Sequence, residues 1–310
     1  MLTEGQIELR DGRRLAYASL GRRAGSPVVY LHGAIGSPLR PAPSLEAVIA
    51  DLGVRYVIVS RPGFGASDPH PGRTILGFAD DLGQLADALG VDCFAVVGVS
   101  AGGPYALACA YVLRTRVTTA AVVSSLSCMC PPHAVAGLPA RIRVPLRALA
   151  AAPDAASILG DAAVALVRRH PALLLKTMTA GASSADRTVL DDAETGDGAV
   201  AGFLAATAGG VRGLVADYEL TCRPWGFAPE DVDLDVHLWH GVQDRLVPVE
   251  HALQLALALP RCRTALDPDE GHFFYRRRLR EILGALITSP AARRPSRRPS
   301  TVARGSSRRP

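Results

Sequence analysis

No stretch of the 310-residue chain reaches 18 uncharged apolar residues; the most apolar region, Ala148 to Val167, is broken by Asp154 and Asp161. An α-helix needs about that length to cross a bilayer, so a membrane bundle is excluded and no membrane span is expected. The first 14 residues alternate polar and charged side chains and lack the apolar core of a secretory signal. A cytoplasmic protein is the expectation. The six cysteines (Cys93, Cys109, Cys128, Cys130, Cys222, Cys262) include no C-x-x-C pair, and several sit in apolar segments. They read as buried free thiols and not as disulfides or a metal site.

Acidic residues are missing altogether from the last 21 positions, Pro290 to Pro310, which hold seven arginines. Removing those seven from the 34 Lys and Arg leaves 27 bases against 29 acids over residues 1–289, a net of −2, although the whole chain is formally +5. The basic character belongs to a tail, and the body gives no reason to expect an acidic substrate. That tail has no apolar periodicity, no aromatic residue to stack on bases and no amphipathic face to insert into lipid. It is expected to be a disordered, solvated extension with no specific nucleic-acid partner.

The whole chain is 48% hydrophobic and 20% charged, the balance of a globular protein. A body of about 290 residues buries roughly three quarters of its unfolded surface, enough for one large core with an insertion. Asp11-Gly12 between two short alternating runs predicts an opening hairpin. Continuous apolar runs follow at Pro27 to Leu31, Tyr56 to Ser60, Phe94 to Val99, Ala120 to Ser124 and Val236 to Trp239. Such runs suit parallel strands buried on both faces. Ile75, Phe78, Leu82, Leu85 and Leu89 recur at helical spacing, with Asp80, Asp81 and Asp87 expected to face elsewhere and Gly90 as a stop. Strand and helix in alternation specify a doubly wound α/β sheet. The alternation fails from Cys128 to about Arg223, where Leu- and Ala-rich stretches are interrupted by a Gly/Asp-rich break at Asp191 to Gly198. A helical insertion is expected there, placed as a lid over the carboxyl ends of the strands. Its Leu138, Ile142, Leu146 and Leu149 stripe reads as packing of a small helical core.

One motif carries chemistry. Gly98-x-Ser100-x-Gly102 lies between a strand run and an Ala-rich helix, with Pro104 suited to a first helical turn. A serine on that sharp turn presents its Oγ at the sheet's carboxyl edge, beside a helix amino terminus, and the two glycines leave room for neighbouring chain. Ser100 is the candidate nucleophile. A serine needs a base, and the base an orienting acid, in the chain order Ser, acid, His. His272, in Glu270-Gly-His272, occupies a loop at the right end of the chain, whereas His237, His240 and His251 fall in or beside regular elements and read as structural. The segment after Ala120 to Ser124 offers no carboxylate; the one after Val236 to Trp239 offers Asp244. For the developing oxyanion, the backbone N–H of Ala101 and, from the His32-Gly33-Ala34 loop, that of Ala34 are the candidate donors.

These residues, with Ser60-Arg-Pro-Gly63-Phe-Gly65-Ala-Ser67, Arg223-Pro-Trp-Gly-Phe227 and Leu238-Trp-His-Gly241, resemble the α/β-hydrolase superfamily from about Leu9 to Ile287, specifically its lid-bearing serine hydrolases. The resemblance implies a mostly parallel sheet with antiparallel N-terminal strands, helices on both faces, and a helical lid after the sixth strand, before the last strands. It divides the chain into a core of residues 1–127 and 224–289, a lid of 128–223 and a tail of 290–310. It implies a Ser100/His272/Asp244 triad acting through an acyl-enzyme on an ester, thioester or lactone of a small apolar molecule, with no metal or organic cofactor. Dehalogenases and epoxide hydrolases of this fold carry an Asp where Ser100 stands, and prolyl iminopeptidases usually carry a tryptophan where Ala101 stands. Cofactor-free haloperoxidase, acyltransferase, C–C hydrolase and ligand-receptor relatives remain open alternatives, as does oligomeric state.

Overall fold

The computed structural model describes residues 2–34, 36, 43–129, 144 and 151–288. The arginine tail, Cys130 and the Leu138 to Leu149 stripe lie outside the described residues. The opening hairpin forms as the sequence predicts: β1 (Thr3–Glu8) pairs antiparallel with β2 (Arg14–Gly21), and Gly12 takes φ +82° in the turn. The apolar runs become β3 (Ser26–Leu31), β4 (Val54–Val59), β5 (Phe94–Val99), β6 (Val117–Val123) and β7 (Val236–Gly241). An edge strand, β8 (Cys262–Asp267), completes one eight-stranded sheet in the order β1-β2-β4-β3-β5-β6-β7-β8. β2 runs antiparallel to β4, and every pairing from there to β8 is parallel. β8 carries no continuous apolar run, which is why the sequence did not disclose it.

Burial on both faces explains the composition of the central strands. All six residues of β5 are buried; Phe94 and Val96 enter one core while Ala95, Val97 and Val99 enter the other. The first core receives α2 (Phe78–Ala88), α3 (Gly103–Val112) and α9 (Val249–Ala258); the second receives α1 (Pro43–Leu52) and α10 (Leu279–Thr288). α2 presents the expected apolar face, and Gly90 caps its end with φ +64°. Asp81 departs from expectation: it is buried, with a bidentate ion pair to Arg13 at 2.7 and 3.0 Å. A carboxylate can enter a core when a guanidinium fork meets both its oxygens.

Between β6 and β7 the described residues form α4 (Pro153–Arg169), α5 (Ala172–Ala180), α6 (Ser184–Leu190), α7 (Ala193–Ala206) and α8 (Arg212–Thr221). The predicted break at Asp191 to Gly198 shrinks to one junction. Asp192 caps α7 by accepting the Thr195 N–H at 3.0 Å, and Gly196 and Gly198 are helical. Of the five described cysteines only Cys109 is fully buried, and the others are half-buried. No described helix is long and apolar enough to cross a membrane.

Several histidines are held neutral by burial. His251, at the start of α9, accepts the Ser127 N–H on Nδ1 at 3.1 Å, and burial pushes its pKa down to about 4. The unfolded chain takes up that proton near the ordinary histidine value and the folded chain does not, so this contribution is intact above the ordinary value and lost as pH falls toward 4. The loss amounts to about 3 kcal/mol at most. Guanidinium denaturation at pH 7 and pH 5 is expected to give a lower midpoint at pH 5, with a smaller drop in His251→Asn, which keeps an acceptor for Ser127. Equal drops in the two proteins would exclude a neutral His251.

Candidate active site

β5 ends at Val99, and the next residue, Ser100, takes φ +54°, a left-handed conformation that non-glycine residues rarely adopt. The chain then turns through Ser100–Gly102 into α3, with Pro104 in its first turn. A Cβ on Gly98 would collide with the Gly102 carbonyl, and one on Gly102 with the carbonyls of Leu31 and His32. Only bare backbone lets β5, the turn and the loop after β3 pass this closely. That loop crosses directly over the serine: a Cβ on Gly33 would sit 3.2 Å from Ser100 Cβ.

Asp244 and His272 come together from the loops after β7 and β8. Asp244 Oδ1 accepts the N–H groups of Leu246 and Val247, both at 2.8 Å, and its Oδ2 accepts His272 Nδ1–H at 2.7 Å. His240 stands 3.5 Å behind, donating Nε2–H to the Val247 carbonyl. Gly241 permits the approach, because a Cβ there would strike the carbonyls of Glu270 and Gly271. Burial opposes protonation of His272, but the charge and hydrogen bond of Asp244, with the more distant Asp186 charge, outweigh it and raise its pKa. Ser100 and His272 both line one cavity, open to solvent on one side. Among the described residues Ser100 Oγ makes no hydrogen bond to the His272 ring; such contacts commonly tighten only around substrate. Ala34 lies in the cavity wall, while Ala101 packs behind it with Ala34, Leu126, Met129 and Val247.

Two further acids hold this site, and both lie in the helices between β6 and β7. Asp217 on α8 is fully buried and accepts from Arg61 at 2.6 and 2.9 Å, from Arg73 at 2.6 Å and from the Tyr105 hydroxyl at 2.7 Å. Arg61 also donates to the His32 carbonyl and, at 3.4 Å, to that of Gly33. Burial pushes the Asp217 carboxyl up, and the two guanidiniums more than reverse this, leaving its pKa below the usual range. Asp186 on α6 accepts the Phe273 N–H at 2.8 Å and the Ser183 hydroxyl at 2.9 Å, fixing the residue after His272. From the other side, Ser124, itself at φ +46°, donates its hydroxyl to the His272 carbonyl at 3.0 Å. The sequence disclosed none of these supports, because each pairs residues far apart in the chain. The serines after β6 were visible only as an absence of carboxylate.

The same helices close the cavity. α5 contributes Met178, and α7 contributes Gly198, Ala199 and Gly202; Phe273, Tyr275 and Arg276 complete that side.

Residues 26–276 match a family model described as the alpha/beta hydrolase fold. The chain is 31% identical over 135 residues to a proline iminopeptidase of Heyndrickxia coagulans, a match covering 43% of this chain and 46% of that protein. The chain thus spans less than half the length of this curated relative. A hydrolase from Pseudomonas aeruginosa superposes with TM-score 0.68 at 17% identity, covering 92% of this chain and 97% of that one. A thermophilic esterase from Thermogutta terrifontis gives TM-score 0.66 at 22% identity, covering 92% and 98%.

Removing the Asp217 charge strands two buried guanidiniums. Asp217→Asn is expected to lower folding stability by about 3–5 kcal/mol, the usual consequence of breaking a buried ion pair from one side. Denaturant titration checks it; a loss within experimental scatter would show that Arg61 and Arg73 do not depend on this carboxylate.

Proposed function

The chain belongs to the alpha/beta hydrolase fold family, and from that premise we propose that it is a serine hydrolase cleaving an ester, thioester or lactone of a small molecule through an acyl-enzyme. The observation that carries this reading is the 2.7 Å His272–Asp244 contact at the wall of the cavity that Ser100 also faces. Ser100 Oγ attacks the carbonyl carbon while His272 Nε2 takes its proton, and Asp244 keeps the Nδ1–H tautomer and stabilises the imidazolium. The carbonyl oxygen becomes an oxyanion received by the backbone N–H groups of Ala34 and Ala101. His272 then returns the proton to the leaving oxygen or sulfur, whose bond to the acyl carbon breaks. Water enters second, activated by the same histidine, and releases the acid. The helices between β6 and β7 act as the lid that excludes bulk water from these steps.

An ester-like substrate is favoured over an amino-terminal peptide. The described cavity wall contains no carboxylate, and it contains Arg276. A terminal ammonium would be repelled there, which sets this site apart from that of an iminopeptidase.

A fluorophosphonate probe is expected to label the wild-type protein and not Ser100→Ala, and ester turnover is expected to fall roughly 10⁴-fold or more in that variant. A correctly folded wild type that resists the probe would remove the serine hydrolase reading. The pH profile tests the base. Because His272 must be neutral to accept the proton, kcat/KM on a neutral ester should fall about tenfold per pH unit below its raised pKa. Asp244→Asn withdraws the charge that raises it, so the acid limb should move to lower pH while the plateau drops on the order of 10⁴-fold. An acid limb at the same pH in both proteins would assign it to another group.

A further inference from the structure

We propose that this cavity selects substrates bearing a carboxylate away from the scissile carbonyl, and that Arg276 is the residue that binds it. The proposal rests on the serine hydrolase reading and gives it a substrate class: monoesters of dicarboxylic acids, or lactones carrying an acid group.

The carriers of the inference are the surroundings of one guanidinium. Arg276 lines the same cavity as Ser100 and His272. Its Nε is buried and has no hydrogen-bond partner among the described residues. Its head group lies against α7, where a Cβ on Gly198 would come within 3.8 Å of Nη1, and stands 5.8 Å from the Tyr275 ring centroid. The contrast with Arg61, Arg73 and Arg13 is chemical. Arg61 and Arg73 share Asp217, and Arg13 holds Asp81. Arg276 has no carboxylate within 4 Å among the described residues. Glu194, the acid whose charge reaches it, has Oε1 engaged by the Ser44 N–H at 3.0 Å and the Ser44 hydroxyl at 2.6 Å.

A guanidinium does not shed its proton in a protein. Its side chain meets the Tyr275 hydroxyl but no carboxylate among the described residues, so it is partly desolvated without a carboxylate counter-ion. A substrate carboxylate offsets that desolvation through charge-assisted hydrogen bonds. The two phenols beside it reinforce the preference. Tyr30 lies in the cavity wall with Tyr275, and burial, then the neighbouring Tyr275, push its pKa up, so it adds no negative charge that would repel an anion. The rest of the wall, Val99, Met178, Ala199 and Phe273, is apolar and suits the carbon chain between the two carbonyl groups.

The test compares two esters of matched length, 4-nitrophenyl hydrogen glutarate and 4-nitrophenyl pentanoate, on the full chain. Wild type is expected to favour the glutarate ester in kcat/KM by at least about tenfold, the scale of one hydrogen-bonded charge pair. In Arg276→Met that ratio should collapse to near one, with Arg276→Lys retaining part of it; Arg276→Gln serves the same comparison if methionine is not accommodated. No preference in wild type, or an unchanged ratio in the neutral variants, overturns the proposal. If neither ester turns over, the hydrolase reading fails by itself, and the anion site is read by thermal shift with glutarate. Glutarate should then raise the melting midpoint of wild type and Ser100→Ala but not of Arg276→Met, and the absence of a shift in wild type would sink the anion site.

Discussion

A single buried carboxylate, that of Asp217, fixes the relation between the sheet and the helices that cover it. It stands on α8, 156 residues from Arg61 in sequence, yet it receives Arg61, Arg73 and Tyr105 together. Arg61 is sandwiched as well as paired, its guanidinium lying 4.8 Å from the Tyr105 centroid and 5.2 Å from that of Phe64. Charges this deep persist only when every polar edge is met. The pairing therefore leaves little freedom, and what it holds still includes the His32–Gly33 backbone passing over Ser100. The site's electrostatics and the docking of α8 are one interaction.

Asp186 performs the corresponding task on the other side of the cavity. By accepting the Phe273 N–H it ties α6 to the loop that carries His272, while Ser124 grips the same loop from the end of β6. Ser100 and Ser124 both adopt left-handed backbone at the carboxyl ends of adjacent parallel strands. Such conformations survive because the surrounding packing over-determines them. Around Ser100 that packing is visible in the three backbone approaches that Gly98, Gly102 and Gly33 permit.

Much of this was legible in sequence, for reasons that are local. Compact, mostly apolar runs mark strands buried on both sides, and β3 to β7 all carry them. Ser100 is flanked by the glycines its turn requires, and Asp244 and His272 sit in loops whose order follows from the topology. What escaped is non-local or lacks a period. β8 is a half-exposed edge strand of mixed composition. Asp81 occupies a helix surface that Arg13, 68 residues away, turns into an interior. Asp186 and Asp217 resemble ordinary polar residues of amphipathic helices until their partners arrive from distant segments. Arg276 stands in a run of three arginines, and only its place in the cavity wall distinguishes it from Arg277 and Arg280, which are exposed.

The helices between β6 and β7 thus do more than line a cavity. They carry the acid that anchors the loop over the serine, the acid that anchors the loop of the histidine, and Gly198, against which the Arg276 head group rests. A recombinant chain in which this segment is exchanged for that of another protein would lose both anchors at once, so the segment cannot be replaced without loosening the two loops it holds.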